Sequence, residues 1–145
     1  MLAQIAGGAL LLSLCVFLHA VATIAIAQFR RRALHEGKTT FRRPVLGLAG
    51  AFVFIFLLHV CEIAIWAGAY VALGALSGFE EALYFSAVSF TTVGYGDVVL
   101  SAQWRILGVS EAVVGMLLFG WSVGLLLILI NDAMKQMMER RQGAT

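Results

Sequence analysis

The sequence predicts an all-α membrane protein, with three transmembrane helices plus a short re-entrant helix and loop. Three observations lead there. Hydrophobic residues make up 61% of the 145 residues and charged residues 12%, a balance foreign to a soluble domain. Three apolar runs are long enough to cross a bilayer, and an amphipathic segment between the last two is too short to do so. The basic residues, finally, fall on one side of the implied membrane: Arg30, Arg31, Arg32, Lys38, Arg42 and Arg43 in one link, and Lys135, Arg140 and Arg141 after the last run. Arg105 is the exception.

The first run, within residues 1–28, is about 40 Å of helix at ~1.5 Å per residue, enough for a hydrocarbon core of about 30 Å. A cleaved signal peptide is the rival reading, but Met1-Leu2-Ala3-Gln4 lacks the positive start that such a peptide carries. The segment therefore reads as a retained span, its N-terminus outside and the basic link 29–43 cytoplasmic. Arginines clustered in a polar link do not make a voltage sensor, which spaces them along an apolar helix. They read as a topology signal with anionic-lipid contacts.

Pro44, the only proline, suits the first turn of a second helix over 45–76. That helix carries His59 and Glu62, which share a face at i and i+3. Ionisable groups in a membrane span point to proton sensing or to a polar lock between helices, and the lock is the simpler reading. Ser77-Gly78-Phe79-Glu80 has the serine-to-glutamate spacing of a capping box and predicts a helix over 78–90, about 20 Å long. Glu80 and Glu81 suit its first turn. The last helix is expected over 104–134, with Trp104 as interfacial anchor, followed by a short cytoplasmic tail at 135–145. Cys15 and Cys61 stand in separate apolar runs and suggest packing, with neither a disulfide framework nor a zinc-finger pattern.

Between the short helix and the last one lies Thr92-Val93-Gly94-Tyr95-Gly96-Asp97. Gly-Tyr-Gly-Asp can be an ordinary tight turn; its position between two long apolar runs argues for more. The run resembles the selectivity filter of the tetrameric potassium channels, whose signature it matches at every position. The resemblance extends over about residues 45–134 (outer helix 45–76, pore helix 78–90, filter 92–97, inner helix 104–134). It is that of the pore module of small prokaryotic channels, preceded here by one extra helix. It implies a potassium-selective channel in a prokaryotic plasma membrane.

Several site assignments follow from the resemblance. Carbonyls of Thr92, Val93, Gly94 and Tyr95, with the Thr92 hydroxyl, would replace the water shell of K+. Gly94 and Gly96 would take the backbone angles that a Cβ disfavours. Asp97 would stand at the outer mouth and concentrate cations. Tyr84 and Phe85 would brace Tyr95 as aromatic packing, with Val88 and Thr91 completing the filter's support. Val88 stands where some relatives have a glutamate paired to the filter aspartate, and Val98-Val99-Leu100 lacks the proline common after it. Glu111 could fill part of that role behind the filter, or simply bond to a neighbouring helix. Gly115 matches the gating-hinge glycine; Gly115, Gly120 and Gly124 equally suit close helix packing. Val123, Gly124 and Leu127 would line the inner cavity, with Asn131 near its cytoplasmic mouth.

One chain supplies one filter strand and a closed carbonyl ring needs four, so a homotetramer is implied. The expected partners are potassium ions, membrane lipids and further copies of the chain, with no nucleic acid and no cofactor. A potassium-uptake transporter subunit or a weakly selective cation channel is the competing reading, although such transporters usually hold four degenerate filters in one long chain. No grouping of nucleophile, base and orienting partner points to an enzyme. Neither a voltage-sensing helix nor a cytoplasmic ligand-binding domain is expected, which leaves protons (through His59, Glu62 or Glu111), tension, lipid or constitutive opening as gating modes.

Overall fold

The computed structural model describes residues 2–35 and 42–142. They form four helices, α1 (Leu2–His35), α2 (Arg42–Ala72), α3 (Phe79–Phe90) and α4 (Arg105–Gln142), with no strand among the described residues. Leu2–Arg31, Val45–Ala72 and Arg105–Met138 are long and apolar enough to cross a membrane. At 30, 28 and 34 residues, they exceed the roughly 20 residues a hydrocarbon core requires. α3 has 12 residues, roughly 18 Å of helix, and cannot cross. This is the all-α architecture expected from the sequence.

Two polar contacts set the helix directions. Arg30 pairs with Asp132 at 3.2 Å, and the Gln4 side-chain amide donates to the Gln103 carbonyl. The starts of α1 and α4 are thus neighbours, as are their far ends, so the two helices run parallel. The link from His35 to Arg42 reaches roughly 25 Å when fully stretched, so α2 runs back antiparallel. Arg30, Arg31 and Lys135 therefore gather toward one end of the bundle and Arg105 toward the other.

α3 lies against α2 and α4 and buries Ala82, Phe85, Ser86 and Phe90, spaced at three and four residues as one helix face requires. They join a core containing Trp66 and Tyr70 from α2, Leu107 and Leu118 from α4, and Cys15 from α1. Cys15 is buried and Cys61 is exposed on the outer face of α2; neither forms a disulfide. Small residues set the closest approaches. A Cβ on Gly8 would stand 2.8 Å from the Ser110 Cβ, so α1 meets α4 there. A Cβ on Gly115 would overlap the Phe90 carbonyl oxygen and come within 2.8 Å of the carbonyl carbon. α4 thus passes directly over the end of α3 at a position that holds no side chain.

Several expected boundaries shift. Of the link at 29–43, residues 29–35 continue α1, 42–43 begin α2, and 36–41 lie outside the described residues. α4 continues through most of the expected tail to Gln142, and 143–145 lie outside the described residues. In both cases the helix outruns the apolar run, because Arg, Lys, Gln and Glu are good helix formers in water. α2 stops at Ala72 and not Leu76. Gly74 takes φ +66 and the Ala75 amide reaches back to the Tyr70 carbonyl at 2.8 Å, a glycine-terminated helix end. The capping box does not form. Gly78 is the N-cap, with extended backbone and no side-chain cap bond, although Glu80 and Glu81 do occupy the first turn.

Gly115→Ala is expected to cost about 1–3 kcal/mol through overpacking against Phe90, lowering the unfolding temperature of the purified protein. Gly120→Ala, where a Cβ meets nothing within 4 Å in the chain, should leave it unchanged. Equal unfolding temperatures for the two variants would contradict the close approach at Gly115.

Candidate functional site

The loop after α3 reverses without using its own carbonyls. The Thr91 amide donates to Ala87 (3.1 Å) and Thr92 to Ser89 (2.9 Å), while Val93 and Gly94 both donate to Val88 (3.0 and 3.3 Å). The Thr91 hydroxyl adds a bond to the Ala87 carbonyl at 2.6 Å. The last turn of α3, including the Val88 carbonyl and the Thr91 cap, therefore anchors the loop by its amides. Among the described residues, no hydrogen bond is accepted by the carbonyls of Thr92, Val93, Gly94, Tyr95 or Gly96.

Backbone handedness alternates along this loop. Thr92, Gly94 and Gly96 have φ of 61, 58 and 78, whereas Val93 and Tyr95 stay in the ordinary negative range. A φ that alternates in sign from residue to residue is not the backbone of an ordinary β-strand, where every φ is negative. The glycines tolerate this at no steric cost. Thr92 does not, and a threonine at positive φ is a strained conformation of the kind that concentrates at functional sites. That third position was not foreseen from the sequence, because only the glycines advertise it.

Asp97 ends the loop, held from two sides. The Tyr84 phenol donates to its Oδ2 at 2.6 Å, and the Val98 amide to its Oδ1 at 3.0 Å. The phenol bond, followed by the amide bond, keeps the Asp97 carboxyl below its ordinary range, and the same bond pushes the Tyr84 phenol up. Within one chain, neither Tyr84 nor Phe85 packs on Tyr95. Tyr84 braces Asp97 through a hydrogen bond. Phe85 turns into the core, edge-on to Tyr70 at 5.2 Å and beneath Gly108. Tyr95, 72% exposed, and Val93, 53% exposed, have no such cover within the chain. Val88 supports the loop through its carbonyl, which accepts from the Val93 and Gly94 amides.

Behind α3 lies a buried polar tie. Glu111 on α4 accepts from the Tyr70 hydroxyl at 2.7 Å and from the Ser86 hydroxyl, which also lies 2.8 Å from the Ile63 carbonyl. This joins α4, α2 and α3 around the helix that presents the loop. Glu111 touches no loop residue through these bonds, so its part is to seat α3. Tyr70 and Ser86 were not singled out from the sequence; a hydroxyl in an apolar helix gives little sign of a partner on another helix.

On α4, Gly115 is a packing contact against Phe90, while Gly120, Val123, Gly124, Leu127 and Asn131 fall on a face left exposed by the chain. Their spacing of three, four, seven and eleven residues from Gly120 traces one helical stripe.

A second polar cluster joins the three spanning helices. His59 and Glu62 share a face of α2 as expected, with His59 Nδ1 2.8 Å from Glu62 Oε2. His19 of α1 adds Nδ1 3.0 Å from Glu62 Oε1. Ser122 of α4 places its Oγ 3.0 Å from His59 Nε2 and 3.2 Å from His19 Nε2. All four are buried. His19 escaped the sequence reading although an ionisable residue in an apolar run is itself a signal.

Tyr70→Phe is expected to cost about 1–3 kcal/mol of stability by leaving a buried Glu111 oxygen short of a donor. Denaturant unfolding checks this, and a variant as stable as the parent would show that the tie does not seat α3.

A protein-family model described as an ion channel matches residues 52–132, more than half of the chain. No curated protein matches, and no solved structure does. The matched residues run from α2 through α3 and the Thr92–Asp97 loop into α4, and leave α1 outside. With three helices able to cross a membrane, the chain is an integral membrane protein, and it belongs to the ion-channel family.

Proposed function

We propose that the chain forms a potassium-selective channel, a homotetramer that conducts K+ passively through a filter made of four Thr92–Asp97 loops. The observation that carries this reading is the loop backbone: φ positive at Thr92, Gly94 and Gly96 and negative between them, with carbonyls from Thr92 to Gly96 that no donor among the described residues engages. Carbonyls in a membrane protein need partners, and a dehydrated cation is one that a ring of carbonyls serves well.

In this reading the carbonyls of Thr92, Val93, Gly94 and Tyr95, with the Thr92 hydroxyl, hold the ions. Asp97 stands at the outer mouth with its charge kept by the Tyr84 bond, and so concentrates cations there. The fourfold assembly is supported by what one chain leaves open. Val93 and Tyr95 are exposed, and an apolar groove lined by Val88, Thr92, Gly94, Val99, Leu100 and Gly108 lies beside the loop. A neighbouring copy supplies the cover. Val123, Gly124, Leu127 and Asn131 then face a shared inner cavity. The gathering of Arg30, Arg31 and Lys135 toward one end of the bundle favours placing that end in the cytoplasm and the N-terminus outside.

The test is ion flux through the purified protein in liposomes, with K+ and Na+ gradients compared. Parent protein is expected to pass K+ and exclude Na+. Gly94→Ala forces a Cβ into left-handed backbone at roughly 1–2 kcal/mol per chain, and should abolish selective flux while the assembly persists. Equal passage of K+ and Na+ by the parent would make it a weakly selective cation channel. No change in Gly94→Ala would show that this loop is not the filter.

A further inference from the structure

We infer that His19, His59 and Glu62 form a binding site for one divalent transition-metal ion of the zinc class, which staples α1 to the helices of the ion-channel module.

When both rings are neutral, the contacts of the cluster outnumber its protons. The cluster is a closed cycle of four contacts: His19 Nδ1 to Glu62 Oε1, Glu62 Oε2 to His59 Nδ1, His59 Nε2 to Ser122 Oγ, and Ser122 Oγ to His19 Nε2. With both imidazoles neutral and Glu62 ionised, three protons meet four contacts, so the buried cycle closes only by taking up one more cation, a proton or a metal ion. A metal ion between the two Nδ1 atoms and the carboxylate is one way to supply it. Both rings then carry their proton on Nε2 and donate to the two lone pairs of Ser122 Oγ, whose own proton must turn from the rings to another acceptor. A hydrogen bond from the far ring nitrogen is what zinc-bound histidines regularly make.

One ligand atom from each of His19, His59 and Glu62 lies within 4.8 Å of the others. Ligands bonded at about 2.0–2.1 Å in a tetrahedral site stand about 3.3 Å apart. His19 Nδ1 and His59 Nδ1 stand 3.0 and 2.8 Å from different oxygens of Glu62, so the carboxylate must turn to offer both rings one oxygen, and separations of up to 4.8 Å must close toward that value. Trp121 packs on His19 at 5.4 Å, and Phe119 and Phe90 on His59 at 4.4 and 5.9 Å, so both rings are held in place. Three protein ligands leave a fourth position for water or an anion, as zinc sites allow.

The donor set selects the ion. Two imidazoles and one carboxylate suit zinc and its first-row neighbours, whereas calcium and magnesium prefer oxygen ligands throughout. This site is therefore chemically distinct from the all-oxygen loop at Thr92–Gly96. Its ligands come from α1 and α2, and the serine behind them from α4. A bound ion would hold α1 to the bundle at a point where Arg30–Asp132 and Gln4–Gln103 hold only the ends.

The test uses the full-length protein in detergent, stripped with a chelator and equilibrated with Zn2+ or Co2+ alone. Bound metal is measured by mass spectrometry and the cobalt form by visible absorption. About one ion per chain and the strong absorption of a four-coordinate cobalt site are expected. His19→Gln and Glu62→Gln should each weaken binding about 10-fold or more, and Ser122→Ala within about 10–100-fold as a second-sphere partner does. If those variants fail to fold, the cobalt spectrum of the parent decides alone. A folded parent that takes up no metal would overturn the inference and make the cluster a proton-bridged clamp; so would undiminished binding by Glu62→Gln. Neither readout depends on conduction, so a failure here leaves the potassium-channel reading standing, and the reverse holds too.

Discussion

The structure depends on one constraint, which is that backbone carbonyls placed inside a membrane must find partners. Helices meet it internally, as α1, α2, α3 and α4 do along their lengths. The Thr92–Gly96 loop breaks the pattern. The amides of Thr92, Val93 and Gly94 are taken up by the last turn of α3, and among the described residues no donor engages the loop's carbonyls. Such a loop persists only if its surroundings are rigid enough to carry the strain.

Those surroundings come from different parts of the chain. Gly115 lets α4 close on the Phe90 carbonyl, so the end of α3 cannot drift. Glu111 ties α4 to Tyr70 and Ser86, which fixes α3 laterally. Tyr84 reaches from α3 past the loop to hold Asp97, closing the segment at its far end. The loop is thus pinned before, behind and after. The second cluster, of His19, His59, Glu62 and Ser122, lies outside this frame and binds α1 to it. Two buried polar groups on the same bundle therefore divide the work: one seats the short helix, the other joins the extra span.

Much of this was legible in the sequence, for reasons specific to particular residues. The spans were legible because apolar length is nearly the whole requirement for crossing a bilayer. Gly94 and Gly96 were legible because glycine is the residue that left-handed backbone selects. Thr92 was not, since its conformation is imposed by neighbours that already alternate. The helix ends were misplaced where charge was read as the end of a helix, although Arg30 and Lys135 lie within helices that have merely left the apolar layer. The hydrogen bond from Tyr84 was not legible, because its phenol finds a carboxylate 13 residues on. His19 and Ser122 were missed because their partners lie 43 and 103 residues away, a distance no local spacing can report.

The central claim is that four Thr92–Asp97 loops bring their carbonyls to one axis and bind dehydrated monovalent cations there. Anomalous diffraction from crystals of the assembled protein soaked in Tl+, a K+ surrogate, tests it most directly. The account predicts a row of Tl+ peaks on a fourfold axis at the level of Thr92 to Tyr95. An ordered loop with Tl+ bound only elsewhere, or an assembly without a fourfold axis through this loop, would contradict it.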